Sequence, residues 1–152
     1  SLGICYTGEL PANAKRKTLR RSRSVLLRAD RDAAPMSLDE YCARPHALVS
    51  FAGDLSGFID DELGKLGRSR QVKLAVPQFH GLCALLPGSE LVASVPDYAA
   101  AALTASGALV AEPLPFEAPL FDLSLAWGAA QDSDPAQRWL REQINQCLGH
   151  TE

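Results

Sequence analysis

The segment from Asp54 to Phe79 constrains this chain more than any other, because it reads as helix, tight turn, strand and the start of a second helix with almost no slack. Phe58, Ile59, Leu63 and Leu66 recur at the spacing of one helical face, and Asp60, Asp61, Glu62 and Lys65 fill the other side. Such a helix lies on a sheet. Ser56 is the expected N-cap, the acids from Asp60 to Glu62 suit the positive end of the helix dipole, and Gly67 is the expected left-handed stop. From Gln71 to Val76 the pattern switches to period two, with Val72, Leu74 and Val76 on one face, until Pro77 withdraws a ladder donor. The unit has the form of a ligand-binding α/β module and carries no set of catalytic side chains.

Size and composition allow one core or two small lobes: 152 residues, 47% hydrophobic and 22% charged, with a net charge of -3. No apolar run approaches the roughly 20 residues that span a bilayer, and the first residues lack the order of a signal peptide, so a soluble cytoplasmic protein is expected. Cys5, Cys42, Cys83 and Cys147 form no C-x-x-C pair. His46, His80 and His150 each lie three or four residues from a cysteine, but single pairs do not make a zinc site, so no metal is expected and each cysteine is read as a small buried hydrophobe with a free thiol.

Charge is unevenly spread. Lys15, Arg16, Lys17, Arg20, Arg21, Arg23, Arg28 and Arg31 are eight of the fifteen Lys and Arg residues. A nucleic-acid patch is one reading of this run. Without interleaved aromatic residues to stack bases, and with Val25, Leu26 and Leu27 within it, the run reads better as the solvated face and approach of a strand.

Along the chain the pattern alternates. Strands are expected at Leu2 to Tyr6, Leu19 to Arg28, His46 to Ser50, Gln71 to Val76, Leu91 to Val95, Ala108 to Glu112 and Leu120 to Trp127. Ser37-Leu-Asp-Glu40 is a capping box for a short helix to Ala43, Gln78 to Leu86 and Asp97 to Ala105 read as helices, and Asp134-Pro135 opens the last one. Trp139, Leu140, Ile144, Cys147 and Leu148 form the expected buried face of that last helix. Strand and helix in alternation predict mostly parallel sheets, whose ligands sit at the carboxyl ends of the strands. Ser50 and Phe51, then Gln78, Phe79 and His80, fall at such ends, with two helix N-termini expected beside them and suited to an anion.

His46-Ala-Leu-Val-Ser50, Gly53-Asp-Leu-Ser-Gly-Phe-Ile-Asp-Asp-Glu-Leu63, Leu66-Gly-Arg-Ser-Arg-Gln-Val72, Val76-Pro-Gln-Phe79, Leu91-Val-Ala-Ser-Val-Pro96 and Asp134-Pro-Ala-Gln-Arg-Trp-Leu140 together resemble, in order and spacing, the effector-binding domain of LysR-type transcriptional regulators, nearest the NodD-like group. The resemblance covers nearly the whole chain. It implies a periplasmic-binding-protein-like fold (type 2) of two α/β subdomains joined by two crossing strands, near Leu27 to Asp30 and near Glu112 to Phe116. Residues 31–112 would form subdomain II, and residues 1–30 and 113–152 part of subdomain I, whose first strands, like the family's DNA-binding region and linker helix, have no counterpart before Ser1.

The same resemblance implies an effector-sensing and oligomerisation domain, contacting DNA only through a region outside this chain. It places a small effector, aromatic or acidic, against Tyr6, Thr7, Ser50, Phe51, Gln78, Phe79, His80 and Leu120. Plainer readings stand beside these. A histidine in a first helical turn often satisfies a local carbonyl, Phe51 and Phe79 suit core or hinge packing, and Asp60, Asp61 and Glu62 suit a solvated helix face. Ser50 lacks the G-x-S-x-G elbow of a nucleophile. An enzyme would need that, or a phosphate loop, and neither G-x-G-x-x-G nor G-x-x-x-x-G-K-[ST] occurs, so no catalytic residue and no cofactor is expected. A solute-binding protein of the same fold is the alternative, with an export signal as its mark.

Overall fold

Ser24–Arg28 is the strand around which the larger part of the chain is arranged, and it sends Leu26 and Leu27 to opposite faces of its sheet, both fully buried. The computed structural model describes residues 2–6, 12–30, 33–50 and 53–149, with only the backbone described for Cys5 and Tyr6. The chain divides into two compact units, one of Ser1–Ser22 with Leu120–Glu152 and one of Arg23–Pro119.

In the unit from Arg23 to Pro119, β3 (Ser24–Arg28) lies between β6 (Ala93–Pro96) and β7 (Val110–Pro113), antiparallel to both. A second pair, β4 (Pro45–Val49) and β5 (Gln71–Val76), is parallel, and an isolated parallel bridge sets His46 of β4 beside Val92 just before β6. Leu27, Ala47, Leu82, Ala93, Val95 and Leu103 belong to one core cluster, and Leu26, Met36, Tyr41, Ile59, Leu63 and Val92 to the other. Among the described residues of this unit the α-helices are α1 (Leu38–Ala43), α2 (Phe58–Lys65), α3 (Leu82–Leu85) and α4 (Asp97–Leu103). Ser37 caps α1 as its sequence predicts, its hydroxyl accepting from Glu40 N at 3.2 Å. Gly67 takes the left-handed conformation at φ 68° just past α2, where a side chain would be strained.

The other unit is a three-stranded antiparallel sheet in the order β1 (Leu2–Tyr6), β8 (Phe121–Gly128), β2 (Ala14–Ser22), followed in sequence by α5 (Pro135–Leu148). Asp134 precedes α5 and Pro135 fills its first turn, where its missing N–H is not needed. Lys15 Nζ donates to Asp132 at 2.7 Å, Trp127 Nε1 donates to the same carboxylate at 3.0 Å, and the Arg141 guanidinium stands 4.5 Å over the Trp127 ring.

Several expectations need correction. The sheets are mostly antiparallel among the described residues, with β4 and β5 the parallel pair, because helix-rich alternation in sequence does not say which strands become neighbours. The long strand expected from Leu19 to Arg28 is two strands interrupted at Arg23, since β2 pairs with β8 whereas β3 pairs with β6 and β7. In α5 no residue is buried among the described residues: Trp139 is 61% exposed and Leu140 40% exposed, Cys147 is exposed, and Ile144 and Leu148 are half-buried. Cys42 is half-buried and Cys83 and Cys147 are exposed, against the expectation of buried thiols. Among the described residues no helix is long and apolar enough to cross a membrane.

Candidate functional site

β4 and β5 run side by side in the same direction, so Ser50 and the Gln78–His80 turn beyond Val76 emerge at one edge of the unit. Ser50 N donates to Val76 O at 2.8 Å, extending the parallel ladder one residue beyond β4. The Ser50 hydroxyl accepts from Asp54 N at 3.1 Å, which pins the departing loop and leaves the hydroxyl proton available to an acceptor. Gln78 and His80 are exposed, while Phe79 is half-buried against the core cluster of Leu27 and Leu82, in keeping with a packing role.

The rest of the expected site is distributed differently. Thr7 and Phe51 lie outside the described residues. Tyr6 ends β1 and Leu120 precedes β8; because Tyr6 pairs with Leu123, both fall at one end of the β1–β8 ladder in the other unit, with Leu120 49% exposed. The structure thus brings together Ser50 with Gln78, Phe79 and His80, and Tyr6 with Leu120.

The two expected helix N-termini are weaker than their sequences suggest. Gln78 leads into a three-residue 3₁₀ turn, Phe79–Gly81, and then into the single turn of α3, too short to build a substantial dipole. At α2 the N-cap is Gly57, one residue later than expected, and its N–H donates to Asp60 Oδ2 at 2.8 Å. Gly53 N is likewise turned back on Ser50 O at 3.4 Å. These amides are occupied within the fold, so side chains at the strand ends remain the available polar groups.

Asp60 also corrects the solvated-face reading. Arg70, buried just before β5, grips its carboxylate with Nε to Oδ1 and Nη2 to Oδ2, both at 3.0 Å. Burial works against the charged form of Asp60, but Arg70 and the Gly57 N–H outweigh it and hold the carboxyl below its ordinary range. The pair fastens α2 to the start of β5. The signal lay in the sequence: an acid three residues after a potential cap is the inward-turned member of a capping box, not a surface charge.

His46 is buried at the beginning of β4, its Nε2–H donating to Tyr41 O at 2.6 Å and its ring edge-on to Tyr41 with centroids 4.5 Å apart. Desolvation pushes its pKa down to about 4 despite the Tyr41 carbonyl, with Arg70 adding to the depression. The Tyr41 hydroxyl in turn meets Ser94 Oγ at 2.5 Å.

A further ionic group was hidden in the basic run. Arg28 is buried, hydrogen-bonded to Asp30 and, at 2.7 Å, to Glu112 Oε1, while Glu112 Oε2 accepts from Met36 N at 3.2 Å and Arg44 Nη1 reaches Asp30 at 3.0 Å. Arg28 holds the Asp30 carboxyl well below the usual carboxylate range. Because β3 is antiparallel to β6 and ends at Arg28, this group clamps the end of the layer remote from Ser50. By contrast Lys15, Arg16, Lys17 and Arg21 lie exposed along β2, as a solvated strand face requires.

Comparisons with known proteins agree with this architecture. The model of the family described as LysR substrate binding domain matches residues 2–148. The transcriptional activator NagR of Ralstonia sp is 30% identical over 144 residues, 93% of this chain and 48% of its own length, so the chain spans about half of that curated relative. A crystal structure of the regulatory domain of MexT, a transcriptional activator in Pseudomonas aeruginosa, superposes with a TM-score of 0.87 at 64% identity, covering 96% of this chain and 72% of that one. The effector-binding domain of QuiR in complex with shikimate shares the fold at a TM-score of 0.74 and 14% identity, covering 97% of this chain and 71% of that one. With nearly every residue inside the matched span, this chain belongs to the LysR substrate binding domain family, the effector-binding regulatory domain of LysR-type transcriptional regulators.

Proposed function

We propose that a small effector is sensed at Ser50, Gln78, Phe79 and His80. The observation that carries this reading is the meeting of Ser50 and the Gln78–His80 turn at the carboxyl ends of two parallel strands. The subdomain division at residues 30/31 and 112/113 belongs to the same proposal, as do action in the cytoplasm, sensing without catalysis, and DNA contact through a region of the whole regulator outside this chain. In the complete regulator, a thermal-shift panel of aromatic acids, flavonoids and amino acids should yield a stabilising ligand. Against that ligand Ser50→Ala should lose about 0.5–1.5 kcal/mol, several-fold in affinity, and His80→Ala more if the ligand is anionic. Wild-type affinity in both variants by titration calorimetry would place the site elsewhere.

We also propose that α2 is a self-association surface, in which paired copies reuse one patch. Leu55, Phe58 and Leu66 are 56%, 47% and 52% exposed on and beside that helix, an apolar strip edged by Asp61 and Lys65. Phe58→Glu should shift the protein toward monomer in sedimentation at high micromolar concentration. Unchanged association would remove α2 from the interface.

A further inference from the structure

We infer that Asp97 is a specificity residue of the effector site proposed above, accepting a hydrogen bond from a hydroxyl or ammonium group on the effector; the inference rests on that site's placement at Ser50 and Gln78–His80. Its first support is position. The parallel bridge between His46 and Val92 aligns the chain entering β6 with β4, which is itself parallel to β5. Ser50 and Asp97 come directly after β4 and β6, and Gln78 follows β5 after Pro77, so all three leave the layer at the same edge.

The second support is the state of the carboxylate. Asp97 N donates to Arg23 O at 2.9 Å, which fixes the backbone beside β3. Yet Asp97 Oδ1 is buried and has no hydrogen-bond partner among the described residues. Two other partly withdrawn acids of this unit are treated differently. Asp60 has Arg70 and the Gly57 N–H, and Glu112 has Arg28 and the Met36 N–H. Where Asp60 and Glu112 are each paired twice, Asp97 Oδ1 is left an unpaired acceptor, open to a donor from outside the fold.

The chemistry of the edge is then complementary. Ser50 can donate, because its oxygen already accepts from Asp54 N, and His80 and Gln78 are exposed for a polar or anionic end. Asp97 supplies an anionic acceptor, which these residues lack. Together they fit a hydroxylated or aminated organic acid better than an unsubstituted one.

The test uses the complete regulator and three probes, 3-hydroxybenzoate, shikimate and benzoate, titrated calorimetrically against wild type and Asp97→Asn. The variant should bind the hydroxylated acids about tenfold more weakly and benzoate within about twofold of wild type. Its unliganded thermal midpoint should stay within about 2 °C, because no internal partner is lost. Equal losses for all three acids would overturn the inference, as would unchanged binding. So would a midpoint lower by more than about 5 °C without selective loss, which would make Asp97 a folding residue of α4. Failure of wild type to bind any of the three also counts against it. Ser50→Ala and His80→Ala separate the two levels: weakened binding in both with Asp97→Asn unaffected leaves the site standing without Asp97, whereas wild-type binding in all three variants removes the site itself.

Discussion

Replacing Arg70 by methionine is expected to destabilise the Arg23–Pro119 unit by about 3 kcal/mol, the range found when one member of a buried ion pair is removed. Arg70 has a side chain 1% exposed and Asp60 one 26% exposed, so the methionine would leave a carboxylate part-buried with only the Gly57 N–H as company. Methionine keeps the alkyl stem, so the loss reports the charge rather than a cavity. Asp60→Leu combined with Arg70→Met should recover most of the deficit, because matched apolar replacements avoid the desolvation of both charges. The choice of signal matters. Both tryptophans, Trp127 and Trp139, lie in the other unit, so urea unfolding has to be followed by far-ultraviolet circular dichroism, with tryptophan fluorescence reporting the neighbour. Unchanged stability in Arg70→Met would show that α2 is held in place by the packing of Ile59 and Leu63 against Leu26, Met36, Tyr41 and Val92 without help from the ion pair.

That ion pair marks where the sequence stopped being legible. Element types were readable because periodicity is a local property: the Phe58–Lys65 helix, the Gln71–Val76 strand and the proline-opened last helix appear within a residue or two of their expected limits. The pairing of strands was not, since β3 meets β6 and β7 about seventy to ninety residues away and nothing in its own pattern names those partners. Burial of charge failed for a related reason. Arg28 and Arg70 look like any surface cation until Glu112 and Asp60 arrive from distant strands and a neighbouring helix to neutralise them. At the candidate site, Ser50 and the Gln78–His80 turn were found because a strand's carboxyl end is a local signal. Asp97 was not, because its place depends on the register of β6 beside β4 and its unpaired oxygen on the packing around it.

Acidification is expected to destabilise the same unit through His46. The ring's Nε2–H is committed to Tyr41 O, so an added proton must go to Nδ1, which is buried and has no partner among the described residues. Arg70 and Arg44 also oppose the charge and Asp60 only partly offsets them. The folded pKa of about 4 lies below the ordinary value of 6.5 for the unfolded chain, so between the two the unfolded state binds more protons and stability rises with pH. The contribution is complete above the unfolded value and is lost as pH falls toward the folded one. From about pH 7.5 to about pH 5 the loss should be about 2 kcal/mol. Acids held below their ordinary range, Asp30 and Asp60, keep their stabilisation throughout the range above the unfolded carboxylate value and lose it only below that value. The interval from about pH 7.5 to about pH 5 therefore isolates His46 from them. His46→Gln keeps an N–H that can reach the Tyr41 carbonyl and cannot titrate; its stability measured by urea unfolding should be nearly flat across that interval while wild type declines. Equal slopes in the two proteins would mean that His46 is already protonated in the fold or is reached by solvent, and either outcome would contradict the buried, neutral ring that anchors β4 beneath Ser50.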